Sequence, residues 1–157
     1  MASYDLRVWN PVLDVGMLRL STKIAISVCA HVDEVAYVKL EVIQKVAGKK
    51  AVVAFSTENT PGAIFKKPGC GDLSVSDLVL DLKLHGKYRV DAPTTYRAIL
   101  FTKVGSTTWM QRKVVTFVPT YVRNGVPLAV DDGIIDLLRA RFERRVEQFR
   151  AWRDGGA

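Results

Sequence analysis

The stretch 94–121 carries the clearest alternation of apolar and polar positions in the chain. Its first ten residues place Tyr96, Ala98 and Leu100 on one face of a strand, and Arg97, Ile99, Phe101 and Lys103 on the other. A polar turn at 104–108 and a second apolar run at 109–121 complete a predicted β-hairpin. Because both faces of this hairpin carry apolar residues, we expect it to form a central pair of strands rather than an edge.

Alternation with a period of two predicts further strands before the hairpin, at 4–9, 21–32, 36–43, 51–56 and 77–84. Asn10-Pro11 is expected to end the first strand, and 47–50 (AGKK) predicts a hairpin turn. The irregular stretch 57–71 reads as a loop in which Ile64-Phe65 returns to the body of the protein. About seven strands without intervening helices predict an antiparallel β-sandwich.

The period changes near the C-terminus, where Asp131 or Asp132 is a candidate helix cap. Apolar residues then recur every three or four positions, which predicts one amphipathic α-helix at 131–153. Five residues of this stripe are candidate partner-binding residues: Leu138, Phe142, Val146, Phe149 and Trp152. Packing on its own sandwich and docking on a neighbouring subunit both remain open for this helix. The predicted organisation is a β domain at 1–122, a linker at 123–130 and the helix.

The residues 91–98 (DAPTTYRA) resemble the start of the penultimate strand in immunoglobulin-like and fibronectin type III-like domains. In those domains a tyrosine, here Tyr96, anchors a corner through its hydroxyl, two residues before an inward position that is cysteine in antibodies. Ala98 takes that inward position here, and Val28 or Ala30 stands where the partner cysteine would be. The resemblance implies an immunoglobulin-like sandwich that lacks the inter-sheet disulfide.

The overall layout also resembles the coat proteins of single-stranded RNA phages. Several antiparallel strands precede C-terminal helices in those proteins, and the transition from 112–121 to the predicted helix is similar. This resemblance implies subunits that interlock their helices over a shared RNA-binding sheet, but no RNA-contact motif matches position by position.

Charge is distributed unevenly along the chain, which has a formal net charge of +7. Residues 1–130 carry all of this excess, since 131–157 contain six basic and six acidic residues. Three basic pairs in or beside loops are the candidate nucleic-acid-binding residues: Lys49, Lys50, Lys66, Lys67, Arg112 and Lys113. If they converged in space they could neutralise several phosphates, whereas scattered solubilising charge is the simpler interpretation.

No pattern in the sequence predicts catalysis or a cofactor. The two histidines, His31 and His85, have no nucleophile motif nearby, and Asp77 and Asp81 are expected to lie on a solvated outer face. Cys70 could be an exposed reactive thiol. With no metal-ligand spacing and no apolar run long enough for a membrane span, we expect neither metal, membrane contact nor small-molecule substrate.

The oxidation state of the two cysteines depends on the cellular compartment of the protein. The N-terminal residues lack the apolar run of a signal peptide, so Cys29 and Cys70 are expected to be free thiols in a reducing cytoplasm.

These observations together predict a non-enzymatic structural protein that forms homo-oligomers through its C-terminal helix. The class that fits is a component of a virus or phage particle, such as a coat, decoration or tail subunit, assembled in the host cytoplasm. The alternative is a nucleic-acid-binding protein that uses the basic β face, and an RNA-packaging coat protein would combine both.

Overall fold

The computed structural model describes residues 2–30, 35–56, 64–66, 70, 73–103 and 108–127. Ten strand segments account for most of them: β1 (Ser3–Asp14), β2 (Arg19–Cys29), β3 (Val35–Val46), β4 (Lys49–Phe55), β5 (Ile64–Lys66), β6 (Ser74–Asp81), β7 (Thr94–Lys103), β8 (Met110–Phe117), β9 (Thr120–Arg123) and β10 (Val126–Pro127). One short 3-10 helix, Leu82–His85, is the helical element in this part of the chain. The described protein is therefore mainly β, as the alternation predicts.

The strands form two sheets. Sheet 1 has the order β10-β9-β1-β2-β6, and sheet 2 has the order β4-β3-β7-β8. β5 also belongs to sheet 2, because β4 and β5 pair with successive parts of the same edge of β3. Neighbouring strands are antiparallel except β1 and β9, which run parallel with Leu13 opposite Tyr121.

A single apolar core lies between the sheets and draws residues from both of them. In β3 the inward side chains are completely buried, namely Ala36, Val38, Leu40 and Val42. β2 contributes Ile24, Ile26 and Val28, and β7 contributes Tyr96, Ala98 and Leu100. Each large side chain of this kind stabilises the fold by about 1.5 to 3 kcal/mol through burial. The prediction that Tyr96, Ala98 and Leu100 share one face of a strand is confirmed.

The first strand is longer than predicted. Asn10-Pro11 does not end it, because β1 continues to Asp14 with a shift in register between Trp9 and Val12. Asn10 has a φ of 47°, a left-handed conformation that asparagine tolerates better than most residues. The irregularity also accommodates a proline, which cannot donate a ladder hydrogen bond.

The leucine-rich strand ends earlier than its alternation suggests. β6 stops at Asp81, whose carboxylate Oδ1 accepts a hydrogen bond from the Lys83 backbone N–H and caps the 3-10 helix. Leu78 and Leu80 are buried as expected, but Leu84 lies outside the strand and is 83% exposed. The local hydrogen bond of Asp81 therefore overrides an alternation that continues in the sequence.

The hairpin of β7 and β8 forms, but it is not a central pair. β7 is central, whereas β8 is the edge strand of sheet 2. The predicted second strand is also divided, because the chain leaves sheet 2 at Val118-Pro119 and enters sheet 1 as β9. An irregularity in the β7–β8 register and the charged Arg112 and Lys113 mark β8 as an edge, where such features discourage pairing with other chains.

Cys29 and Cys70 form a disulfide, so the prediction of two free thiols is wrong. Their Cα atoms lie 4.7 Å apart although 41 residues separate them in sequence. Ile64-Phe65 returns to the body of the protein as predicted, but as part of a strand, β5, that pairs with β3, and Cys70 follows β5 closely. Long-range proximity of this kind depends on how the chain folds back, which cysteine spacing does not encode.

The predicted helix at 131–153 lies outside the described residues, as do His31 and Lys67. The range 123–130, predicted as a linker, includes β10, which pairs with β9 through the Asn124-Gly125 turn.

Candidate functional site

The candidate basic residues that the structure describes do not form one patch. Lys49 and Lys50 start β4 and pair with Val46 and Lys45 at one end of β3. Lys66 in β5 pairs with Val35 at the other end. These ends are about 36 Å apart, at about 3.3 Å per residue along a strand. The pair Lys49 and Lys50 therefore cannot contact the same phosphate group as Lys66.

Arg112 has a structural environment, unlike its exposed neighbour Lys113. Its guanidinium Nε donates a hydrogen bond of 2.8 Å to the Thr102 hydroxyl. The same guanidinium lies 4.7 Å from the centre of the Tyr4 ring, which belongs to sheet 1. The hydrogen bond thus holds Arg112 against β7 within sheet 2, and the cation–π contact connects it to β1 of sheet 1.

Aromatic rings gather on the outer face of sheet 2. The Tyr37 ring stacks on Phe101 at 5.8 Å between centroids and meets Trp109 at 5.6 Å. The Tyr37 hydroxyl donates a hydrogen bond of 3.0 Å to the Ser56 carbonyl, which fixes the ring beside the end of β4. The strand register explains this cluster, because Tyr37 and Phe101 are directly opposite in β3 and β7.

Cations border these rings. The Lys103 Nζ lies 4.7 Å above the Trp109 ring, and the Lys39 Nζ lies 5.1 Å from the Phe55 ring. Contacts of this kind contribute about 0.5 to 1 kcal/mol at exposed sites. They also keep long basic side chains close to the face, so that rings and positive charges form one surface.

One carboxylate, Glu41, lies at the centre of this surface and is only 6% exposed. Its two oxygens accept from the Arg97 Nη2 at 2.7 Å and the Lys39 Nζ at 3.4 Å. A buried carboxylate needs such partners, since removing an ion from water is costly. The Arg97 Nε is a buried donor without a hydrogen-bond partner among the described residues.

The same face also exposes aliphatic and aromatic surface. Four large side chains on it are 38 to 42% exposed: Val35, Val52, Phe55 and Val114. We call these four residues, together with Tyr37, Phe101 and Trp109, the sheet 2 face. Apolar side chains collected around aromatic rings are typical of surfaces that contact another protein segment.

The outer face of sheet 1 is different in character. Val75 and Val79 are exposed there, but charged side chains alternate with them along the same strands. Trp9, Lys23 and Asp77 occupy one row across β1, β2 and β6. This face also includes an exposed ion pair between Arg7 and Asp5 at 3.2 Å. The mixture is that of an ordinary solvated surface.

The residues considered for catalysis are dispersed. His85 packs against the Phe55 ring at 5.5 Å, Asp77 is exposed on the outer face of sheet 1, and Asp81 caps the 3-10 helix. Cys70 is bonded to Cys29 and is therefore not a reactive thiol. Within the described ranges, no three or more His, Cys, Asp or Glu side chains are grouped in a way that could hold a metal ion.

Sequence patterns identified which face of each strand carries these rings but missed their contacts. Alternation placed Tyr37 and Phe101 on the faces opposite Val38 and Leu100, and Trp109 at the start of the second hairpin strand. Their convergence requires the register of β3 against β7 and the path of the chain before β8. The sequence contained one signal for this cluster: β3 and β7 carry apolar residues on both faces, whereas a two-layer protein buries only one face of each sheet in its core.

Among the described residues, no helix has both the length and the hydrophobicity that crossing a membrane requires. No protein-family model matches the chain, and no curated protein is similar to it.

Three solved structures share a partial structural similarity with it. A β-glucosidase from Listeria innocua in complex with gluconolactone is 13% identical, with a TM-score of 0.37 over 77% of this chain and 16% of the enzyme. The glucose complex of a β-glucosidase from the same organism gives 14% identity and a TM-score of 0.34, over 77% and 16% of the two chains. Spo0M, a sporulation control protein from Bacillus subtilis, is 8% identical, with a TM-score of 0.43 over 76% of this chain and 49% of its own. The chain thus spans half or less of each of these proteins, and such low scores support no conclusion about fold type or activity.

Proposed function

We propose that this protein is a non-enzymatic assembly protein that associates with copies of itself. Its C-terminal segment 131–153, predicted to be an amphipathic helix, docks on the sheet 2 face of a second copy. The particles that fit this description are those of viruses and phages, in which the protein would serve as a coat, decoration or tail subunit.

The observation that supports this proposal is the sheet 2 face itself. It combines the buried Tyr37 ring and the half-buried Phe101 and Trp109 rings with exposed Phe55 and Val114, on a sheet whose opposite face already fills the core. An outer face of this composition gains free energy when another apolar surface covers it.

The occupant is chosen by what the chain itself offers. Thirty residues follow Pro127, and they include the apolar stripe of Leu138, Phe142, Val146, Phe149 and Trp152. A helix at 131–153 would be roughly 35 Å long, and the twelve residues of β3 span about 40 Å, so the two surfaces match in length.

Two acidic side chains of this segment offer partners for the cations of the sheet 2 face, while Arg139, Arg150 and Arg153 also directly follow stripe residues. Glu143 and Glu147 directly follow stripe residues, so on a helix they flank the apolar stripe. Lys39 and Lys103 border the rings of the sheet 2 face and offer opposite charge. Such rim pairs set the orientation of a docked helix more than its affinity.

We also infer that the sandwich is immunoglobulin-like. The order β1-β2-β6 in one sheet and β4-β3-β7-β8 in the other corresponds to strands A-B-E and C′-C-F-G of those domains. Val28 in β2 and Ala98 in β7 are fully buried, at the positions where antibodies have their inter-sheet cysteines.

The Cys29–Cys70 disulfide bears on where such a protein would act. Disulfides persist at virion and cell surfaces and are rare in reducing compartments. The proposal therefore places the mature protein on an extracellular particle, although subunits would be assembled in the host cytoplasm.

A pair of matched substitutions tests the docking surface. Val114→Asp places a carboxylate on the sheet 2 face, and Val79→Asp makes the same change at a similarly exposed site on sheet 1. We expect Val114→Asp, and separately Phe142→Asp with Phe149→Asp, to weaken self-association at least tenfold in sedimentation velocity. Val79→Asp should leave association within twofold of the unmodified protein. Equal effects of Val114→Asp and Val79→Asp would disprove docking on the sheet 2 face.

A further inference from the structure

A cleft of about 470 Å³ opens at one end of the sandwich. One wall is the β3–β4 hairpin, from Gln44 to the Ala47 turn, and the other is the segment that follows the 3-10 helix. The second wall consists of Gly86, Lys87 and Arg89. This site is at the opposite end of β3 from Val35 and Lys103, so it is separate from the Trp109 end of the sheet 2 face.

The charge of the cleft has one sign. Lys45, Lys87 and Arg89 line it, and no acidic or aromatic residue occurs among its described lining residues. Two more cations, Lys49 and Lys50, lie on the neighbouring strand directly opposite Val46 and Lys45. Five basic residues thus lie at one end of the molecule, and three of them line the cleft.

This concentration of positive charge has an energetic cost in the free protein. Lys45 and Lys50 form a directly opposed cross-strand pair, and like charges in that position are destabilising. A bound anion would relieve the repulsion. This group of cations therefore favours binding of an anion.

A buried side chain holds the two walls together. Gln44 is 3% exposed, and its amide nitrogen donates hydrogen bonds of 2.8 Å to the Arg89 carbonyl and the Thr94 hydroxyl. Its amide oxygen accepts a bond of 3.1 Å from the Arg89 backbone N–H. Gln44 thereby fixes the backbone that carries Lys87 and Arg89 against β3, so the cations are pre-positioned rather than brought together by the ligand.

We propose that this cleft binds a phosphate group, as a monoester or as a phosphodiester of a nucleic-acid backbone. Lysine and arginine side chains are the usual partners of phosphate oxygens, and arginine can contact two of them at once. Because no described lining residue is aromatic, the cleft would bind charge without stacking on a base. The proposal is independent of self-association through the sheet 2 face.

Titration calorimetry with two probes, sodium pyrophosphate and a single-stranded oligonucleotide of ten thymidines, tests this site at 50 mM salt. The variant is Lys87→Gln with Arg89→Gln, which removes two charges and leaves the backbone bonds of Gln44 in place. Its matched control, Lys23→Gln with Arg123→Gln, removes two exposed charges elsewhere. We expect the first variant to weaken binding at least tenfold and the control to change it less than twofold.

The two probes distinguish the sources of the phosphate. If the oligonucleotide binds more tightly and the variant lowers the slope of log K against log salt by about 1.4, the ligand is a nucleic-acid backbone. If pyrophosphate binds and the oligonucleotide does not, the ligand is a small phosphorylated molecule. Absence of binding by either probe, or an equal loss in the control, would overturn the proposal.

Discussion

At the scale of single residues, Asp14 has the most demanding role among the described side chains. Its carboxylate is 5% exposed and accepts backbone hydrogen bonds of 2.9 to 3.0 Å from Gly16, Met17, Asn124 and Gly125. It therefore ties the β1–β2 turn to the β9–β10 turn, 110 residues away. The Met17 amide, and then those of Asn124, Gly125 and Gly16, hold the pKa of Asp14 below its ordinary value, although burial opposes them.

The lowered pKa of Asp14 predicts a pH dependence of stability. The folded protein favours the ionised carboxylate, so this contribution is complete above the ordinary pKa of 3.8 and is lost as the pH falls through the lower folded pKa. Asp14→Asn removes the negative charge of this side chain. It also replaces one accepting oxygen by an NH₂ group, which cannot accept a hydrogen bond from a backbone N–H. We expect a lower Tm for Asp14→Asn at pH 7 and a gap that narrows below pH 3.8, measured by circular dichroism. Asp77→Asn, at an exposed site, is the control, and a gap that is constant with pH would contradict this role.

At the scale of elements, the sequence predicted the inward faces better than the ends of the strands. Alternation assigned β2, β3 and β7 correctly, because burial of every second residue is what their residues share. The ends depend on local hydrogen bonds and backbone geometry that alternation does not contain. Asp81 stops β6 with its side chain, and Asn10 carries β1 through an irregularity.

The disulfide joins the end of β2 to Cys70, which follows β5 in the chain. Closing a loop of 41 residues in the unfolded chain is expected to stabilise the folded state by about 4 kcal/mol. We expect Cys29→Ser with Cys70→Ser to lower the free energy of unfolding by about 2 to 4 kcal/mol in urea titrations. Reduction of the unmodified protein should have a similar effect and should not affect the double variant. Identical stability with and without reductant would show that this bond is absent in solution.

At the scale of the whole molecule, the candidate surfaces were the least predictable features. The basic pairs were visible as neighbours in sequence, but the structure separates Lys49 and Lys50 from Lys66 along β3. Lys45, which lies opposite Lys50 in the β3–β4 pair, instead lines a cleft with Lys87 and Arg89 from a distant segment. Each of the two segments has several basic residues close together in sequence, which was a usable signal. The proximity of the two segments, however, depends on the buried amide of Gln44.

If the protein associates with itself, the mass of the unmodified protein in solution must rise with its concentration. The single chain has a mass of 17.5 kDa. Multi-angle light scattering after size exclusion, from micromolar to near-millimolar protein, should give a mass that rises to at least twice this value. A mass of 17.5 kDa at every concentration would contradict the proposed assembly.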